Sequence, residues 1–224
     1  MSARLDTPQA TRRDTTRVLR VAAAAYVLAW VVGLVIAPPR PATDEAAVLA
    51  GFVEGHAGAL VVQSLLVHGL AGAALLVVAV GAGRSLTSKA AATTGALAAV
   101  LSCVQVALLA GAVMAALGRT EAAVPGLLGA VDGVDAVKLV ALAGFVVAGS
   151  RAGRRARVLP RWVSVLGAVL AVLLVLGAAS FVPGLGQLLG VALFAALPLL
   201  LVYVGALAWL VARRSPADRG EVTR

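Results

Sequence analysis

The chain has 224 residues, is 61% hydrophobic and 13% charged, and has a mean hydropathy of +1.00 and a formal net charge of +9. Soluble domains run about 45–50% apolar and about 25% charged, so a water-soluble fold of this size has no interior large enough for this composition, and the solvent is a bilayer. A nucleic-acid partner is excluded as the reason for the positive charge, because the charge sits in short segments beside apolar runs, where it sets orientation.

Six apolar runs follow in chain order, each near or above the roughly 20 residues that a spanning helix needs. The first is Val21–Ala37, ended by Pro38 and Pro39. Its 17 residues exceed the 7–15 of a secretory h-region, and Pro38 makes a poor cleavage site, which favours an uncleaved helix. The stretch Pro38–Gly55 is the longest outer loop. Within it, Thr43-Asp44-Glu45 reads as a helix start with an N-cap and acids in the first turn, opening a short interfacial helix over the outer mouth. The second run is Ala57–Gly83 and the third Ala90–Leu117. The loop Gly118–Gly129 carries Pro125-Gly126, a turn signal. The fourth run is Ala130–Gly149. The fifth, Trp162–Val182, and the sixth, Leu185–Ala212, are joined by a tight link at Pro183-Gly184. Residues 1–20 and 213–224 read as polar, disordered cytoplasmic tails, and residues 21–212 as the transmembrane domain.

Six spans place both termini on one side. That side holds 16 of the 19 Lys and Arg: five in the N-tail, Arg84 and Lys89, five from Arg151 to Arg161, and four from Arg213 to Arg224. The other side keeps Arg40, Arg119 and, within a span, Lys138. The positive-inside rule gives N-in and C-in. Trp162 and Trp209 fall near the inner boundary, as interfacial aromatics do. The expected fold is an all-α polytopic bundle of six transmembrane helices.

The fourth run is the informative one. Its uncharged part, Leu139–Gly149, is only 11 residues long. A span ending before Arg151 therefore takes in Asp132, Asp135 and Lys138, spaced by three and so along one side of a helix. Ionisable groups in lipid cost a few kcal/mol each and face a protein interior or a water-filled cavity. Span two carries Gln63, Ser64 and His68; span three carries Thr93, Thr94, Ser102, Cys103 and Gln105; span six carries Gln187. Counted at helical rise from the outer ends, Gln63 lies about 9 Å deep, Lys138 about 12 Å, His68 about 17 Å and Gln105 about 18 Å. The inner halves of spans two and four are almost purely apolar. Gln63, His68, Gln105, Asp132, Asp135 and Lys138 are therefore candidate ligand-binding residues of one outward-opening pocket closed toward the cytoplasm. Each has a plainer reading. Asp135 and Lys138 can neutralise each other as a structural pair, and His68, Gln63 and Gln105 can be interhelical hydrogen-bond partners.

Other chemistry is thin. The single cysteine, Cys103, excludes an internal disulfide and any multi-cysteine metal or redox motif. Two histidines, His56 and His68, cannot ligate two haems. Glu54 and His56 lie close together but have no third ligand nearby in sequence for a metal. No Cys-x-x-Cys, His-Glu-x-x-His, Gly-x-Ser-x-Gly or Walker loop is present, which argues against an enzyme. No cofactor is implied. Gly186 and Gly190 form a small-xxx-small pair that is weak evidence for a dimer face in so Gly-rich a chain.

Val158-Leu159-Pro160-Arg161-Trp162 and Val165-Leu166-Gly167 open span five, Asp135-Ala136-Val137-Lys138 enters span four, and Trp209-Leu210-Val211 with Arg213-Arg214 closes the last span. Over spans two to six this pattern resembles the six-span membrane proteins of a domain-of-unknown-function family common in actinobacteria and related bacteria. The resemblance implies a multi-pass protein of a bacterial inner membrane and brings no activity with it. Two functions are expected: handling of a small molecule or ion in the outer polar pocket, or non-catalytic assembly with itself or another membrane protein through small-residue helix faces. The absence of an inverted repeat gives secondary-transporter architecture no support.

Overall fold

The protein is described by a computed structural model over residues 7–36, 39–182 and 184–213; the side chains of 7–15, 187 and 188 lie outside that description. It is all-helical, with no strand among the described residues. The elements are α1 (Thr7–Ile36), α2 (Ala46–Gly55), α3 (Ala57–Ser64), a π-helical turn (Leu65–Leu70), α4 (Ala71–Ser85), α5 (Lys89–Leu117), a short 3-10 turn (Glu121–Ala123), α6 (Val124–Arg155), α7 (Arg161–Ala179) and α8 (Gly186–Arg213). Five segments are long and apolar enough to cross a bilayer: Thr16–Ile36, Ala57–Ser85, Lys89–Leu117, Arg161–Ala179 and Leu189–Arg213. The chain is a multi-pass membrane protein. Its outward faces carry large apolar side chains such as Leu28, Val35, Val100, Val165, Val172 and Phe194, a surface that only lipid or a partner could cover. α6, at 32 residues the longest helix among the described residues, carries Asp132, Asp135 and Lys138 and is not one of the five.

Several local expectations are corrected. α1 begins at Thr7, so helix takes up residues 7–20 of the segment expected to lack structure; residues 214–224, Pro38, Pro183 and the side chain of Gln187 lie outside the described residues. The outer helix α2 starts at Ala46, not with acids in its first turn. Glu45 is its extended N-cap residue, and Thr43 Oγ1 accepts the Glu45 amide at 3.1 Å. Pro125-Gly126 is not a turn. Pro125 lies in the first turn of α6, where its missing N–H costs nothing and its fixed φ suits a helix start.

Three helices end alike. Past α4, α5 and α6 the chain enters the left-handed region at Thr87 (φ 51), Arg119 (φ 59) and Arg157 (φ 52). The amide of the next residue then reaches back five: Ser88 to Gly83, Thr120 to Ala115 and Val158 to Gly153. This is the Schellman closure, which glycine usually provides. A residue with a Cβ pays about 1–2 kcal/mol there, partly offset because glycine is freer when unfolded. Arg119→Gly is therefore expected to stabilise the fold by about 0.5–1 kcal/mol, read as a higher unfolding midpoint in detergent. A lowered midpoint would show that the Arg119 side chain holds something.

Packing is close because small residues face each other. α4, α5 and α6 meet at Gly95, where a Cβ would lie 2.3 Å from Ala79 Cβ and 3.1 Å from Phe145 Cδ2. Between α6 and α8, the fully buried Tyr203 donates to the Val146 carbonyl (3.0 Å), pairs with Ser150 Oγ (3.0 Å) and meets Phe145 edge-on at 6.4 Å. The guanidinium groups of Arg20 and Arg213 both stand over Trp209, at 4.4 and 4.9 Å from the ring centre, tying α1 to α8.

Candidate functional site

The buried apolar residues form two groups. The larger joins α1, α4, α5, α6, α7 and α8, including Leu75, Val78, Leu139, Leu142, Phe145 and Val146. The smaller lies at the end of the bundle where Leu49 and Val53 of α2 and Leu60 of α3 pack on Leu109, Val113, Val124 and Leu128. Between them, at one level, stand His68 on span two, Ser102 and Gln105 on α5, and Asp135 and Lys138 on α6. The polar residues form a layer that interrupts the core.

Lys138 is its centre and is only 4% exposed. Its ammonium donates to Asp135 Oδ1 at 2.6 Å and Gln105 Oε1 at 2.5 Å, and lies 3.4 Å from His68 Nδ1. A lysine ammonium has three protons, and here three acceptors face it. With Nδ1 accepting, the His68 proton is carried on Nε2. Asp135, one turn nearer the start of α6, balances the charge and keeps 29% of its side chain exposed. Gln105 is fully buried. With its oxygen turned to Lys138, its Nε2 has no hydrogen-bond partner among the described residues, and neither does Ser64 Oγ. A buried donor left alone costs about 1–3 kcal/mol, so the Gln105 amide is a point at which an acceptor would be welcome.

His68 reaches this level through a local irregularity. Across Leu65–Leu70 the helix widens into a π turn, with the Ala71 amide bonded to the Leu66 carbonyl, five residues back. The wider turn offsets the faces of α3 and α4 and places His68 opposite α6. Such turns often occur at functional sites. No composition signal in Leu-Leu-Val-His-Gly-Leu announces it.

Of the six residues singled out in the sequence, four come together: His68, Gln105, Asp135 and Lys138. Asp132 does not reach Lys138. It pairs with Arg40, from the loop after α1, at 2.9 Å, and both are partly exposed. Gln63 is half-buried on α3 and makes no hydrogen bond to this group among the described residues. Arg40 was missed as a partner. The signal was its position as one of only two basic residues in the outer loops. His56 caps the junction of α2 and α3, with Nδ1 2.9 Å from the Phe52 carbonyl and its ring 4.7 Å from that of Phe52. Among the described residues no three His, Cys, Asp or Glu side chains gather as metal ligands. Cys103 is exposed on the outside of the bundle. No family model, curated protein or solved structure matches the chain.

Proposed function

We propose that the chain is a six-span protein of a bacterial inner membrane, with both termini cytoplasmic, that takes a small molecule or ion from the outer side into the polar layer between spans two, three and four. α6 would be the remaining span. The observation that carries the reading is the convergence of His68, Gln105, Asp135 and Lys138, from three spans, at one break in the core. Charged groups descend along α6 from the outer mouth, with the Arg40–Asp132 pair first, then Asp135, then Lys138. The i, i+3 steps are each about 4.5 Å of helix rise. Gln105 Nε2 supplies an unpartnered donor beside the Lys138–Asp135 pair, suited to an acceptor oxygen of a ligand. Below this level Leu139, Leu142, Phe145 and Val146 are buried against their neighbours, so the approach ends there. A site open on one side fits a receptor-like or gated protein better than a continuous channel.

Thiol labelling tests this. In a Cys103→Ala background, single cysteines replace Asp132, His68, Gln105 and Leu142, and a membrane-impermeant thiol reagent is added to intact cells. Asp132 is expected to label fastest, His68 and Gln105 more slowly, and Leu142 not at all. Cysteines at the exposed positions Glu121 and Arg154 report orientation, the first labelling and the second not. If Asp132 labels while His68 and Gln105 stay unmodified, the layer is sealed and structural, and the assembly role becomes the better reading. Labelling at Arg154 in intact cells reverses the topology.

A further inference from the structure

A groove of about 1610 Å³ runs along α6 on a different part of the molecule from the polar layer. At one end Arg151, Arg155, Arg157 and Arg213 line it; at the other its wall is Val140, Val147 and Val175. The arginines lie at the helix ends, where α6 and α8 finish, and Val140 is 15 residues further in. At helical rise that is about 22 Å, enough to cover the roughly 15 Å hydrocarbon depth of one leaflet plus the headgroup zone. Val140 and Val175 are antiparallel neighbours at equal depth, and both are about half exposed.

Among the described residues the arginines have no counter-ion; the side chains of Asp6, Asp14, Asp218 and Glu221 lie outside that description. The six carboxylates with described side chains (Asp44, Glu45, Glu54, Glu121, Asp132 and Asp135) all belong to the outer loops or the outer half of α6. Both ion pairs among the described residues are there too. Among the described residues, therefore, the arginine end presents positive charge with no carboxylate beside it, at the level of lipid headgroups. Arg157 is moreover held in the left-handed region that glycine would occupy at no cost. An arginine kept in a conformation that disfavours it puts a fourth cation at the rim.

We infer that this groove binds an anionic phospholipid of the leaflet facing Arg151, with its phosphate on the arginines and an acyl chain along Val140, Val147 and Val175. A soluble phosphate compound would need the cations but not the apolar wall that continues from them, and the wall favours the lipid. Basic pockets between membrane helices select acidic headgroups on the same physical grounds. The inference is independent of the polar layer and does not need the proposed ligand.

The full chain is placed in nanodiscs of equimolar phosphatidylglycerol and phosphatidylcholine, and retained lipid is measured by native mass spectrometry after detergent exchange. The wild type is expected to retain phosphatidylglycerol in preference. Each arginine near an anionic surface is worth about a factor of five, so Arg151→Gln, Arg155→Gln and Arg213→Gln together lower that preference about 100-fold. Arg154→Gln, outside the groove, leaves it intact. Val140→Trp keeps every charge but fills the apolar half, and is expected to reduce retained lipid even if the triple variant folds poorly. An unchanged preference in the triple variant, or an unchanged amount of retained lipid in Val140→Trp, overturns the inference. So does displacement of the lipid by an equal concentration of glycerol phosphate, which would assign the groove to a soluble phosphate.

Discussion

Lys138→Met is expected to destabilise the folded protein by about 3 kcal/mol, at the lower end of what breaking a buried ion pair costs. The loss has identifiable parts. Asp135 keeps its carboxylate in the core without the ammonium 2.6 Å away, Gln105 Oε1 loses its donor, and so does His68 Nδ1. The lower end applies because Asp135 is 29% exposed and water can screen part of its charge. Adding Asp135→Asn removes the stranded charge, so the double variant should recover most of the loss. Unfolding in mixed micelles of the wild type, both single variants and the double variant gives the coupling directly. Coupling near zero would mean that the contact contributes nothing. Strong coupling with recovery in the double variant marks the pair as separable from the rest of the layer. Failure of the double variant to recover would place the need for Lys138 on Gln105 and His68 instead.

The second large effect is expected where no chemistry occurs. Gly95→Val should cost about 3 kcal/mol, because overpacking a tight core costs about 1–3 kcal/mol and occasionally more. A single added Cβ already falls 2.3 Å from Ala79 Cβ, and neither Ala79 nor Phe145 has any exposed surface to retreat into. α4 and α5 would have to separate, which would also loosen the contact between spans two and three that holds His68 near Gln105. Gly95→Ala alone should cost about 2 kcal/mol. Exchanging the two residues, Gly95→Ala with Ala79→Gly, returns the volume and should bring stability within about 1 kcal/mol of the wild type, leaving only the contact with Phe145. If the exchange is no better than Gly95→Ala, the clash lies with Phe145, and Phe145→Leu would be the rescuing change.

The amino-acid sequence alone determined the solvent and the all-helical class, and located the five apolar runs that form membrane-length helices. These are linear properties. A bilayer requires a fixed length of apolar helix, and rise per residue turns position into depth, so His68, Gln105 and Lys138 could be placed at overlapping levels before any contact was known. The tertiary structure alone decided which of them meet. Partner choice depends on how each helix is rotated about its axis, and the π turn at Leu65–Leu70 resets that rotation for His68 with no mark in composition. Asp132 illustrates the limit. Its spacing from Asp135 and Lys138 puts it on their side of the helix, yet its carboxylate is taken by Arg40, 92 residues away, because the loop after α1 comes beside the N-terminal half of α6. Pro125-Gly126 shows the same limit locally, since a proline that can end one element can equally begin the next. The arginine groove was half legible: the charges were plain in the sequence and served to orient the chain, but only the packing of α6, α7 and α8 places Val140 and Val175 at one depth beneath them.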